Sequence, residues 1–374
     1  MKNPFANIFS KMTLLGGQDN GSVVGVDIGS STIKVIEIKK KGGKAVLETY
    51  GSISLGPYGG VEVGRTTNLP PEKISEALKE ALKQAGITGS SVALAIPVQA
   101  SLIFTVELPV AVAEKDMLSV VSTEARKYIP VPITEVSIDY FPLPKKEPSY
   151  EESNNPNTQT TSAKTEVLVI ALQNDALKKY NTVVASSALV ASFFEIEIFS
   201  AVRANFEHEL SLVLLMDFGA SYTKLSLVEF GMIKSYHTIN RGGSDITDSI
   251  AKSLSISFTQ AEEMKKEFGI LDNSKDPNLA SIIKLHLDYI FSETNNVLLG
   301  HEKKYNRTIS KVIITGGGSL LKGLQEVAVA HLRAEVEMGR PFSKVSTPAF
   351  LGKVLNAVGP EFAVSLGLAL RKLQ

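Results

Sequence analysis

This 374-residue chain has no cysteine, which excludes a disulfide framework, a thiolate metal site and a cysteine nucleophile. It also has no excess of either charge, since lysine plus arginine and aspartate plus glutamate both number 39. No global field therefore draws it to nucleic acid or to an anionic membrane. Its five histidines (208, 237, 286, 301 and 331) are scattered, without the His-Glu-x-x-His spacing of a helical zinc site. They read as surface or packing residues. No apolar stretch approaches the roughly 20 residues that span a bilayer, so no transmembrane segment is expected. The N-terminus lacks an apolar core long enough for a signal peptide. What remains is the composition of a soluble globular protein, 44% hydrophobic and 21% charged, and long enough for two or more domains.

The most informative feature present is one signature written twice. Asp27-Ile28-Gly29-Ser30-Ser31-Thr32-Ile33-Lys34 and Asp217-Phe218-Gly219-Ala220-Ser221-Tyr222-Thr223-Lys224 both fit Asp-x-Gly-x-Ser-x-x-Lys. Each copy follows an apolar run and precedes another, which predicts a β-hairpin with a Gly/Ser turn and an aspartate ending its first strand. One such turn is ordinary turn chemistry. Two copies in matching strand contexts, near the starts of two comparable halves, are not explained by turn chemistry. Backbone amides and hydroxyls of two facing turns can cradle a phosphate chain. Asp27 and Asp217 can then hold a hydrated Mg²⁺ between them.

Along the chain, residues 22–56 read as strands and 71–85 as a helix that Pro70-Pro71 opens and Gly86 stops. From 98 to 187 the pattern becomes α+β, with strands at 102–108, 136–141 and 166–172 and helices at 114–128 and 175–187. The polar stretch 147–165 reads as a mobile hairpin tip, with a binding loop as the alternative. The second half restarts at 211. Arg241-Gly242-Gly243-Ser244-Asp245 leads into a helix, and Lys311–Thr315 ends in Gly316-Gly317-Gly318-Ser319, which is expected to open another. A glycine turn ahead of a helix suits a phosphate or sugar, or is by itself only a tight turn; with the paired hairpins the two complete a set of four loops around one cleft. In the N-terminal tail, Phe5, Ile8, Phe9 and Met12 share one helical face beside Lys2 and Lys11. That tail packs on its own domain or frays, or else serves a membrane surface or a partner.

These loops resemble those of the actin-like ATPase superfamily, which includes actin, the sugar kinases, FtsA and MreB. Within it, the chain is most similar to the PilM family of type IV pilus assembly. The similarity is carried by the Asn3-Pro4-Phe5 and Ile8-Phe9 tail and by VVGVDIGSSTIKVIEI (23–38), EARKYIPVPITEVSIDY (124–140), VIITGGGSLLKGL (312–324) and EFAVSLGLALR (361–371). It implies an α/β fold, the duplicated ribonuclease H-like actin fold, with two nucleotide-binding halves and an inserted α+β subdomain 1C. The implied boundaries are a tail at 1–21, subdomain 1A at 22–97 plus 188–210, subdomain 1C at 98–187, and a second half at 211–374 with subdomain 2B near 255–308.

On this resemblance the cofactor is ATP or ADP with Mg²⁺. The phosphate-1 loop supplies Asp27, Gly29, Ser30, Ser31 and Lys34, and the phosphate-2 loop Asp217, Gly219, Ala220, Ser221 and Lys224. Gly242, Gly243 and Asp245 flank ribose and phosphates, Glu263 and Lys266 lie on the helix bordering adenine, and Gly316, Gly317, Gly318 and Ser319 form the adenosine motif. The implied partner is the cytoplasmic N-terminal peptide of a PilN-like membrane protein, gripped in a groove between subdomain 1C and the first half. Other pilus motor and platform proteins and self-association are implied as well. The implied place is the cytoplasm, peripheral at the inner membrane through partners.

FtsA continues into a linker and an amphipathic membrane helix, whereas this chain stops at Gln374, directly after its last helix. A phosphotransferase needs a general base aimed at its substrate. None is identifiable in the first half, because a solvated face explains Glu195 and Glu197 equally well. The expected function is therefore a nucleotide-binding scaffold with at most slow hydrolysis. The alternatives are an FtsA-like polymerising ATPase and an actin-fold phosphotransferase.

Overall fold

The computed structural model describes residues 21–109, 112–113, 116–143, 164–206, 211–270 and 277–373. The N-terminal tail and nearly all of the 147–165 stretch lie outside these residues. Among the described residues, 98–179 form one compact unit, and those up to Pro97 together with those from Tyr180 onward form a larger one.

The larger unit is built on two five-stranded sheets of matching plan. In the first, β1 (Ser22–Ile28), β2 (Thr32–Lys41) and β3 (Lys44–Ser54) form an antiparallel meander. Helix α1 (Pro71–Gln84) then returns the chain to β4 (Ser91–Ile96), which pairs with β1 in parallel. Parallel pairing requires such a crossover, because a tight turn cannot reverse the chain twice. Three strands and two helices of the smaller unit and its exit follow in sequence. They are β5 (Ser101–Pro109), α2 (Met117–Ala125), β6 (Val136–Pro142), β7 (Lys164–Gln173) and α3 (Asn174–Ser186). Strand β8 (Val190–Ile196) then completes the sheet, in order β3-β2-β1-β4-β8.

Helix α4 (Glu197–Asn205) leads to the second sheet. Its meander is β9 (Val213–Phe218), β10 (Thr223–Glu229) and β11 (Met232–Ile239). Helices α5 (Gly243–Leu254), α6 (Phe258–Phe268) and α7 (Pro277–Tyr305) form the crossover to β12 (Lys311–Thr315), and α8 (Leu324–His331) connects to β13 (Glu335–Met338). The order β11-β10-β9-β12-β13 repeats the first sheet strand for strand. β1 and β9 are the middle strands, and their apolar residues are buried on both faces, as expected of a covered mixed sheet.

Helices α9 (Gly352–Val358) and α10 (Ala363–Leu373) end the chain. Residues 363–370 of α10 are buried against β1 and α4. Two glycines admit this close approach. A Cβ on Gly25 would overlap the Ser365 carbonyl oxygen, and one on Gly367 the Ser200 carbonyl oxygen. Beneath α10, the buried Glu195 carboxylate accepts from Arg203 at 2.7 and 2.8 Å and from Arg371 at 2.9 Å.

In the smaller unit the sheet order is β5-β7-β6, all antiparallel. Helix α2 covers one face through Val121 and Ala125, against Val106, Leu108, Val167 and Val169.

Two local expectations are corrected. Helix α2 is shorter than 114–128, because the chain turns before Pro130 and Pro132 and only turns follow Ala125. Gly316–Ser319 does not open an α-helix. It makes a single 3₁₀ turn, Gly317–Leu320, and α8 begins only after Gly323 at φ +84°. The stretch Ala349–Leu373 has the length and apolar character of a membrane span, but 67% of its most apolar 18 residues is buried inside the protein. Its apolar character is that of a core element.

Candidate functional site

The repeated signature forms two turns of the same construction. Asp27 faces Lys34 across β1–β2, and Asp217 faces Lys224 across β9–β10. The Gly29 amide donates to the Thr32 carbonyl at 3.0 Å, and the Gly219 amide to the Tyr222 carbonyl at 2.9 Å. A Cβ on Gly29 or Gly219 would press on that same carbonyl oxygen, which is why the position is glycine twice. The turns meet tip to tip, with Ser221 Oγ donating to Ser30 Oγ at 2.8 Å. Leu55 donates its amide to the Ser31 carbonyl at 2.8 Å and fixes the first turn from behind.

Charge converges below the tips. Asp27 is buried, and that burial pushes its carboxyl up to about 6. Lys34 and Lys224 pull it down, while Glu197 and Asp217 add to the rise. The Lys224 ammonium lies 2.6 Å from Glu197 Oε2 and 3.1 Å from Asp217 Oδ2. Burial works against that ammonium, but Asp217 and Glu197 outweigh it and hold its pKa above the ordinary lysine value. Burial also raises the Tyr180 phenol, with Glu197 and Asp27 adding to the effect.

The other glycine loops lean on the second turn. The Gly243 amide donates to the Gly219 carbonyl at 3.0 Å and the Ser244 amide to the Ala220 carbonyl at 2.9 Å. Asp245 accepts from the Gly242 amide at 2.8 Å, closing the start of α5. Thr315 pairs with Asp217 across β12–β9, so Gly316 sits directly over the aspartate. Gly316 is at φ +88°, and a Cβ there would overlap Asp217 Oδ1. A Cβ on Gly318 would stand 2.6 Å from the Phe218 ring. Ser319 Oγ donates to the Gly316 carbonyl at 2.6 Å and braces the turn.

On α6 the structure separates the residues singled out from the sequence. Glu263 is exposed. Lys266 pairs with Glu262 at 3.2 Å and lies within electrostatic reach of Glu361. The inward-facing pair is Glu262 and Lys265. Glu262 accepts from Thr247 at 2.5 Å, and Lys265 donates to the Gly243 carbonyl at 2.9 Å. These two residues fasten α6 to the loop at 242–243.

Sequence reasoning left Glu195 and Glu197 without a role and passed over Glu361. Glu195 and Glu197 are buried, which removes the solvated face as an explanation of them. The signal was legible in Phe193-Phe194-Glu195-Ile196-Glu197-Ile198-Phe199, where charges embedded in an apolar run predict burial with partners. Glu361 lies beside Gly317, and burial raises its pKa against the pull of Lys34 and Lys266.

This donor set fits a magnesium polyphosphate. Carboxylate oxygens are the ligands that Mg²⁺ prefers, and the Ser30 and Ser221 hydroxyls at the turn tips, with the Lys34 ammonium, suit phosphate oxygens. Burial raises the Asp27 carboxyl, and a divalent cation beside it would offset the cost of its charge. Among the described residues no three acidic or histidine side chains are grouped to chelate a metal directly. A metal held here would have to draw most of its shell from water and phosphate.

The comparisons with known proteins agree with this architecture. The family described as type IV pilus assembly protein PilM matches residues 25–373. A solved PilM-PilN type IV pilus biogenesis complex superposes with a TM-score of 0.78 at 25% identity, covering 94% of this chain and 98% of that one. The cell division protein FtsA of Staphylococcus epidermidis is 24% identical over 349 residues, 85% of this chain and 74% of FtsA. MreB5 of Spiroplasma citri, solved with AMPPNP, shares the fold with a TM-score of 0.50 at 12% identity, covering 94% of this chain and 96% of that one. The fold is thus the actin-like ATPase fold, carrying an α+β insertion between β4 and β8.

Proposed function

The chain belongs to the type IV pilus assembly protein PilM family, and from that premise we propose that it is the nucleotide-binding cytoplasmic scaffold of a pilus machine, joined to the inner membrane through its partners. ATP or ADP with Mg²⁺ binds between the two hairpin turns. The observation that carries this reading is the meeting of the duplicated turns at Ser30 and Ser221, above Asp27, Asp217, Lys34 and Lys224. The fold shared with an AMPPNP-bound MreB5 supports it.

Asp27 and Asp217 would hold the metal, largely through water, and the metal when bound neutralises the phosphate charge. Gly29, Ser30, Gly219 and Ser221 cradle the phosphates. Gly316–Ser319 and Lys266 border the adenosine end. Glu197 is the acidic residue best placed to orient a water, yet the Lys224 ammonium 2.6 Å away already engages it. An oxygen bound in this way is not free to position a water as well. Turnover is accordingly slow, far below the roughly 1–100 s⁻¹ of kinases. Phosphate release by the purified chain tests this, and a kinase-like rate would overturn it.

The partner is the N-terminal cytoplasmic peptide of a PilN-like protein, bound through the inserted unit at 98–179. The PilM-PilN complex supports a partner of this kind. So do the two outer strands of the β5-β7-β6 sheet and the exposed Leu118, Tyr128 and Val131 of the same unit. Extended peptides dock by pairing with an edge strand and seating apolar side chains beside it. Tyr128→Ala and Leu118→Glu should weaken capture of that peptide by the full chain while nucleotide binding persists. Undiminished capture by both variants would place the peptide elsewhere.

A further inference from the structure

Between β3 and α1 the chain makes an excursion, residues 55–69, that the phosphate-binding reading leaves without a role. It is folded on itself. The Val61 amide donates to the Gly56 carbonyl at 3.0 Å and the Arg65 amide to the Glu62 carbonyl at 3.2 Å, with Gly60 and Gly64 at φ +70° and +88°. One end is tied to the first phosphate turn, where the Thr67 amide donates to the Ser30 carbonyl at 2.7 Å. The Gly64 amide also donates to Ser54 Oγ at 3.2 Å.

Its tip reaches the second half of the molecule. Glu62 Oε1 accepts from the Thr259 amide at 3.1 Å, at the start of α6. Arg65 Nη1 is 3.1 Å from Asp248 Oδ1 on α5, and its guanidinium stacks 4.3 Å from the Phe258 ring centre. The Gly64 backbone packs on Glu262, where a Cβ would stand 3.3 Å from Glu262 Cγ. Glu262 in turn pairs with Lys265, which holds the Gly243 carbonyl. A continuous path of contacts therefore runs from Ser30 of the first turn, through this segment, to the 242–243 loop beside the second turn.

We propose that residues 55–69 are a strap across the nucleotide cleft, and that Glu62 and Arg65 are its closing contacts, gating nucleotide release. Separating the two halves on this side requires breaking Glu62–Thr259 and Arg65–Asp248 together with Ser30–Ser221. The Arg65 and Asp248 side chains are both partly exposed, so salt screens their pairing and the strap closes reversibly. Reversible closure of this kind is what sets ligand residence in lidded sites. The inference rests on the nucleotide reading above.

The absence of native cysteine makes the test clean. Glu62→Cys and Thr259→Cys are introduced together into the full chain and joined by a short bismaleimide. Release of a fluorescent mant-ADP loaded beforehand is followed by stopped flow, with the unlinked double variant and the unmodified chain alongside. The linked protein should release nucleotide at least about tenfold more slowly than the unlinked one. Arg65→Ala should release it faster than the unmodified chain, and added salt should narrow that gap. Equal release from linked and unlinked protein overturns the strap and leaves the nucleotide site standing. Failure of the unmodified chain to bind mant-ADP at all overturns both.

Discussion

Lys224 on β10 donates to Glu197, the first residue of α4, at 2.6 Å. This contact joins the second phosphate turn to the junction that follows β8. It makes Lys224 the shared counter-ion of Asp217 and Glu197, all three side chains being largely buried. Lys224→Met should therefore leave two buried carboxylates unneutralised and cost about 3–5 kcal/mol of stability. Urea unfolding of the variant against the parent measures it. Glu197→Gln removes one charge and should cost less. Equal losses in the two variants would show that the shared role is wrong.

Asp27 gives a pH dependence of definite sign. Its native pKa, raised by burial to about 6, exceeds the ordinary value of 3.8, so the folded state binds the proton more tightly than the unfolded chain. Its contribution to stability is fully present below pH 3.8 and is lost as pH rises toward 6. Asp27→Asn should stabilise the nucleotide-free protein above that range, by about 1–3 kcal/mol. Magnesium dependence of nucleotide binding should weaken in the parent as pH falls through 6, because the protonated carboxyl no longer attracts the cation. Melting curves and titrations across pH 5–8, within the range of ordinary buffers, check both signs.

At Gly316, the φ of +88° and the closeness of Asp217 together require glycine. Gly316→Ala should displace the Asp217 carboxylate and lower nucleotide affinity at least about tenfold while the fold survives, since a backbone conformation open essentially to glycine alone costs other residues about 1–3 kcal/mol. Circular dichroism with a titration separates the two effects. Loss of fold and binding together would show that this turn is a core element first.

How much of this was legible in the sequence follows from the kind of signal each residue gives. The duplicated Asp-x-Gly-x-Ser-x-x-Lys predicted two hairpins, and both formed in the same register because the cross-strand partners are written into the spacing. Glu195 and Glu197 were less visible, because their counter-ions lie far along the chain at Arg371 and Lys224. The start of α8 was misplaced because glycine after a strand is equally compatible with a helix start and with a 3₁₀ turn, and only Gly323 decides between them. Strand β13 escaped notice because four residues that alternate Glu335-Val336-Glu337-Met338 present too short a period to read. The strap at 55–69 leaves no periodic trace at all, and only its cross-half partners reveal it.

The C-terminal helix offers a test of packing. Gly367→Ala inserts a methyl into the Ser200 carbonyl and should destabilise by about 1–3 kcal/mol or more. Glu195→Ala strands two buried guanidinium groups and should cost about 3–5 kcal/mol. Thermal unfolding of each variant decides. A neutral result for both would mean that α10 docks without these contacts.

The central claim is that magnesium nucleotide binds between the two matching turns, and titration calorimetry of Mg-ATP into the chain, with Asp27→Asn and Asp217→Asn in parallel, tests it most directly. The account predicts one site per chain in the parent. At a hundredfold excess over Kd the ligand should stabilise the fold by roughly 2.7 kcal/mol. It also predicts that each variant loses the magnesium-dependent part of the affinity while remaining folded. Binding of equal strength in the parent and both variants, or no heat in the parent at any accessible concentration, would contradict it.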